Sequence, residues 1–241
     1  MTELEPLIDT MTPLLHWHRA RVLFLAQFLV SLIRVRTVNL TEIATAFCGT
    51  AKAASSYRRI QRFFKDFEVD LSLIATLVTR LLPLPEKWIL CLDRTNWKLG
   101  AANLNILVLA VAFRGMAVPL YWSLLDKRGN SDTRERMRLL RTFLRQFGAE
   151  RIQCLTADRE FIGGLWLRFL MKHHIAFRLR IRRNTRIPLR RGGGTAPASR
   201  YFRAVPVGEC HLLPKPRRVW GVSVYVVGLR LPHDDLILIT D

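Results

Sequence analysis

The sequence predicts an α/β protein: a mixed sheet with helices, preceded by a small helical domain. Three observations predict it. Between residues 86 and 181, apolar runs of strand length alternate with segments of helical period. Before residue 85 the apolar residues recur at helical spacing only. Between the two patterns lies Pro83-Leu84-Pro85, and proline disfavours helix at its own position and at the one before it. We therefore expect domains over 1–85 and 86–241. Charge divides there as well: residues 1–85 carry 10 basic and 7 acidic side chains, residues 86–241 carry 28 and 12.

In the first part, Leu23, Leu25, Phe28, Leu29, Leu32 and Ile33 cluster on one helical period. A second helix starts near Thr41 with Ile43, Ala44 and Phe47, and a third runs from Ser55 to Phe67. These two, joined through Gly49, are compatible with a DNA-binding helix-turn-helix and equally with a plain bundle. In the second part Trp88–Leu92, Leu104–Phe113 and Met116–Leu125 are strands, the economical pairing being antiparallel hairpins. Asp132 with Glu135 gives a capping-box start to a helix that Leu140, Phe143, Leu144 and Phe147 bury and Gly148 ends. Strand Ile152–Thr156, helix Phe161–His173 and strand Ile175–Ile181 follow. After 181 the alternation breaks. A Gly-rich loop at 191–199 leads to short strands at Tyr201–Val205, Val219–Leu229 and Leu236–Thr240, a β-rich insertion by pattern.

Composition narrows the function. The 241 residues are 50% hydrophobic, too apolar for a disordered chain, and the formal net charge of +19 favours a polyanionic partner. The apolar run Val22–Ile33 is short of the roughly 20 residues of a membrane span. Glu3, Glu5 and Asp9 precede it where a signal peptide carries positive charge, so a cytoplasmic protein is expected. Cys48, Cys91, Cys154 and Cys210 form no C-x-x-C pair and read as reduced thiols. Gly192–Gly194 lacks the G-K-[ST] of a phosphate loop, and no G-x-S-x-G occurs. His16, His18, His173 and His174 read as packing or surface residues.

Two aspartates stand at strand ends. Asp93 closes Trp88-Ile-Leu-Cys-Leu-Asp and Asp158 follows Ile152-Gln-Cys-Leu-Thr-Ala. Neighbouring strands bring such residues together, and two converging carboxylates repel unless a hard divalent cation offsets their charge. With Mg²⁺ or Mn²⁺ they suit phosphoryl transfer; as turn or N-cap residues they would be purely structural. The densest basic run holds Arg178, Arg180, Arg182, Arg183, Arg186, Arg190 and Arg191. Arg178, Arg180 and Arg182 alternate and would share one strand face, facing phosphates of double-stranded DNA.

The words Leu92-Asp-Arg-Thr-Asn-Trp-Lys-Leu-Gly100, Gly129-Asn-Ser131 and Leu155-Thr-Ala-Asp-Arg-Glu-Phe161 resemble those of DDE transposases of bacterial insertion sequences, in the insertion-sequence-four family. The likeness covers roughly residues 86–181 and, more loosely, the helical part. It implies an RNase H-like core with a β-rich insertion after its fifth strand, in a bacterial, nucleoid-associated protein. It also implies Asp93 and Asp158 as catalytic ligands of Mg²⁺ or Mn²⁺, acting on element ends and target DNA, with a homodimer possible on the DNA. The family's third acid, a glutamate in a tyrosine-arginine-glutamate word, has no match. Leu236-Ile-Leu-Ile-Thr-Asp241 resembles the strand that precedes it, so truncation and near-zero strand cleavage are expected. The rivals are a DNA-binding, transposition-inhibiting remnant, and a nuclease completed by Glu160 or Asp241.

Overall fold

The computed structural model describes residues 4–189 and 193–241. The chain divides into two compact units, Met1–Pro83 and Leu84–Asp241.

The first unit is helical: α1 (Glu5–Leu15), α2 (Arg19–Val35), α3 (Leu40–Thr45), α4 (Ala53–Asp66) and α5 (Leu71–Leu81). Side-chain caps set three of the starts: His18 for α2, Asn39 for α3 and Asp70 for α5. α1 and α5 go beyond the sequence expectation, and they close one of two apolar clusters. Ile8, Met11 and Leu15 of α1 meet Val22 and Ala26 of α2 and Leu77 of α5. In the other, Phe24 of α2 packs on Ile43, Ala44 and Ile60, with Phe47 and Phe63 beside it. Six residues separate α3 from the N-cap of α4, longer than the 3–4-residue turn typical of a helix-turn-helix.

The second unit is mixed α/β. Its strands are β1 (Trp88–Leu99), β2 (Ala102–Phe113), β3 (Met116–Leu124), β4 (Ile152–Ala157), β5 (Phe177–Arg180), β6 (Arg186–Pro188), β7 (Thr195–Pro197), β8 (Cys210–Leu212), β9 (Arg217–Val219), β10 (Val222–Arg230) and β11 (Asp235–Thr240). Helices α6 (Thr133–Phe147) and α7 (Gly164–Lys172) lie between β3 and β4 and between β4 and β5. Among the described residues the main sheet runs β3-β2-β1-β4-β5-β11-β10-β8, with β9 on β10. The first three strands form the expected antiparallel meander, while β1–β4 and β4–β5 are parallel. The β1–β4 register slips once, between Trp88 and Ile89, where Gln153 is the extra residue.

The expected capping box forms: Glu135 N donates to Asp132 Oδ1 and Asp132 N to Glu135 Oε2. α6 and α7 share one sheet face. Arg136 and Arg141 of α6 lie over Phe161 and Phe169, while Trp88 packs edge-on against Phe143 and Phe147. Strand alternation therefore buries Leu90, Leu92, Leu107, Leu109, Leu155, Phe177, Leu179, Ile237 and Ile239 beneath the helices. Cys91, Val108, Thr156 and Leu238, on the other face, are half-buried.

Three expectations change. β1 continues through Asp93 to Leu99, because the β1–β2 hairpin keeps pairing after the parallel ladder with β4 has ended. Residues 198–202 form a 3₁₀ turn instead of a strand, and Phe202 is buried against Gly228. β10 and β11 form no separate insertion. β11 pairs with β5 and β10 with β11, extending the main sheet; among the described residues β6 and β7 pair apart from it.

Candidate active site

The last paired positions of the parallel strands are Leu92 with Ala157 and Ala157 with Leu179. One residue further on come Asp93 within β1, Asp158 just past β4 and Arg180 at the end of β5. Leu92, Ala157 and Leu179 point under the helices, so alternation sends this next row to the opposite face. Alternation thus gives the two aspartates the same face, and both are exposed.

Arg180 partly offsets the charge of Asp158. Its Nη1 lies 3.6 Å from Asp158 Oδ1, and its Nη2 donates to Asp234 Oδ2 at 2.7 Å. Asp93 Oδ1 accepts from Arg94 N.

Beneath this row, facing the helices, is a polar cluster that no spacing in the sequence announces. Arg94 follows Asp93 and so points the other way. Its Nε and Nη2 donate to the two carboxylate oxygens of Glu160 at 2.9 and 3.0 Å, a bidentate pair. Its Nη1 donates to Asn96 Oδ1 and Asn105 Oδ1, and Nη2 also to Asn130 Oδ1. Buried Asn105 donates onward to the carbonyls of Lys127 and Gly129. Behind it, buried Arg136 donates to Ser131 Oγ and to the Ser131 and Ile162 carbonyls. The three words singled out in the sequence, at 92–100, 129–131 and 155–161, therefore meet through Arg94 and Arg136. Pairing with Glu160 holds the Arg94 guanidinium above its usual pKa, while burial lowers that of Arg136. Burial, then Cys154 and Asp93, raises the Cys91 thiol, so it stays protonated at neutral pH.

The other acids nearby find different partners. Glu160 is committed to Arg94. Asp234 pairs with Arg180, Asp235 with Arg183 and Arg230, and Asp241 Oδ1 accepts from Phe177 N. Among the described residues no group of three or more His, Cys, Asp or Glu side chains is placed to hold a metal ion. The arginine row is shorter than expected. β5 ends at Arg180, Ile181 N donates to Ile237 O, and a turn closes with Thr185 N on Arg182 O. Only Arg178 and Arg180 share the strand face; Arg178, Arg182, Arg183 and Arg186 are exposed. Arg190 and Arg191 lie outside the described residues.

Beside the cluster the β1–β2 hairpin leaves Trp97 61% exposed. With Lys98, Lys127 and Arg128 it lines a cavity of about 420 Å³, an aromatic among cations. Fold and site together define a mixed α/β protein with two exposed aspartates where the parallel β1–β4 ladder ends, and an arginine–glutamate pair on the opposite face. Scans of protein-family models and of curated proteins return no match to this chain. No described helix is long and apolar enough to cross a membrane.

Proposed function

We propose that the chain is a metal-dependent DNA-processing protein of the DDE transposase type, with an RNase H-like second unit and Asp93 and Asp158 as two of its acids. The observation that carries the reading is their position: each directly follows the last paired residue of the parallel β1–β4 ladder, Leu92 with Ala157, and both are exposed. Mg²⁺ is commonly held by one or two carboxylates, with waters and substrate phosphates completing its octahedron, so this pair fits it and Mn²⁺. Bound there, the ion would lower the pKa of a coordinated water and offset charge on a phosphodiester. The protein's own residues supply the rest. Arg94 and Glu160 fix the two strand ends relative to each other, Arg180 neutralises Asp158 before cation entry, and Arg178, Arg182 and Arg186 offer exposed guanidiniums to duplex phosphates.

A second reading, DNA occupancy without cleavage, is favoured by the lack of a third ligand beside the pair among the described residues. One experiment addresses both. Mn²⁺ binding is followed by electron paramagnetic resonance, and nicking of supercoiled DNA is followed in Mn²⁺. Wild type should bind Mn²⁺, and Asp93→Asn and Asp158→Asn should each weaken it at least tenfold while the fold by circular dichroism is unchanged. Unaltered Mn²⁺ binding in both variants would refute the metal site. Mn²⁺ binding without nicking supports the second reading.

A further inference from the structure

On the helix side of the sheet, away from the acids, α6 carries a basic stripe. Arg134, Arg138, Arg141 and Arg145 recur at intervals of four, three and four, within one narrow arc of the helix. All four are exposed, and none takes part in an ion pair among the described residues. The opposite face of α6 buries Leu139, Leu140 and Phe143, which fixes the helix rotationally and leaves the arginines no inward rotation. They line a groove of about 870 Å³ together with the half-buried Met137, Leu144, Ala149 and His173. Arg141 also stacks over Phe169, 5.1 Å from the ring centroid, which orders its guanidinium.

We propose that this groove binds the sugar-phosphate backbone of a DNA duplex, and that this duplex is a different segment from the one at Asp93 and Asp158. Arg145 lies eleven residues beyond Arg134, about 16 Å of rise, which matches some five phosphates of one strand at about 3.4 Å of duplex axis each. Four planar forks at that spacing suit a regular row of phosphates, whose oxygens they meet bidentately. An anionic membrane is the poorer fit. Surface-binding helices present large apolar side chains to the lipid, whereas here the exposed positions of the stripe are arginines and the apolar floor is recessed. Separation from the acids follows from alternation: Leu92 faces α6 and Asp93 faces away, so the sheet stands between the two surfaces. Duplex in the groove therefore cannot also lie on the aspartate row at that point. The inference takes its choice of polyanion from the proposed function, but its test needs no metal.

The test uses the full chain and a 30-bp duplex of arbitrary sequence in EDTA, with anisotropy read from 50 to 300 mM NaCl. Changing Arg134, Arg138, Arg141 and Arg145 together to Gln should reduce the slope of log affinity against log salt by about 3.6, since each phosphate left unneutralised lowers it by about 0.9. The corresponding four-Lys variant should retain the slope, which separates charge from fold. Stoichiometric titration should show two duplexes per chain in wild type and one in the Gln variant. An unchanged slope, or an unchanged stoichiometry, overturns the proposal. So does tighter, Gln-sensitive capture of phosphatidylserine vesicles or polyglutamate than of duplex. A reduced slope with no Mn²⁺ binding at the aspartates would leave this inference standing and remove the proposed function instead.

Discussion

Replacing Arg94 with methionine keeps the aliphatic stem in place and removes the fork that joins β1 to the turn after β4. Glu160 then keeps a carboxylate with no cation beside it, and Asn96, Asn105 and Asn130 each lose a donor. Breaking a fully buried pair by deleting one partner costs about 3–5 kcal/mol. The side chains of Arg94 and Glu160 are 12% and 20% exposed, so solvent recovers part of the loss, and we expect about 2–3 kcal/mol. At about 2–4 °C per kcal/mol for a unit of this size, the melting temperature should fall by roughly 4–12 °C. The informative assay is a double-mutant cycle in urea over wild type, Arg94→Met, Glu160→Gln and the double variant. Coupling of about 2 kcal/mol is expected, because the second change removes the charge that the first had stranded. Coupling below about 0.5 kcal/mol would mean the fork does not brace the strand ends, and the account of how Asp93 and Asp158 are held would fail. Mn²⁺ affinity gives an independent readout: Arg94→Met touches no ligand, yet should weaken binding several-fold by loosening β1 against β4.

Two further outcomes test the frame around the site. The Glu135 N–H, with Lys127 nearby, holds the Asp132 carboxyl below its usual pKa, so its contribution is present above the unfolded value near 3.9 and disappears as pH falls through the lower folded value. Asp132→Ala should therefore cost about 1 kcal/mol at pH 5–7, with wild type and variant converging near pH 2 in urea titrations; a gap independent of pH would contradict the cap. At Gly228 an added Cβ would meet Phe202 Cγ at 2.3 Å, so Gly228→Ala should destabilise by about 1–3 kcal/mol. Adding Phe202→Leu should recover part of that, and no recovery would mean the ring is not the obstacle.

Most of the second unit's order is legible in the sequence because its signals are local. Strand-length apolar runs, an Arg-Gly turn at 114–115 and a Ser-Asp start to α6 each report on a few neighbouring residues. What escapes depends on distant pairing. Nothing in Leu236–Thr240 says that it will join β5, and nothing in Asp93-Arg94 says that the ladder with β2 outlasts the ladder with β4. α1 is obscured by Pro6 and Pro13, although the first sits where a helix start tolerates it. α5 carries a readable N-cap in Asp70-Leu-Ser72 but runs straight into the prolines. At the site both aspartates are evident from the words that carry them, whereas Asn130 and Glu160, which Arg94 also binds, lie 36 and 66 residues away and only the fold joins them. Arg180 looks in sequence like one more phosphate-binding arginine, because its acid partners, Asp158 and Asp234, belong to other strands and turns.

The unmatched Gln153 acts as a vernier for the whole arrangement. It shifts the offset between β1 and β4 partners from 64 to 65, the separation of the two aspartates in the chain. Had the ladder run on without it, Asp93 would sit beside Ala157, and Asp158 would fall beside Arg94 on the helix side, with the acids on opposite faces. The pairing of the carboxylates thus hangs on the count of residues between Ile152 and Asp158 more than on the identity of any one of them. Gln153 should tolerate most substitutions. A single residue inserted anywhere from Cys154 to Ala157 would take the second acid out of line while leaving every word of the sequence around it nearly intact.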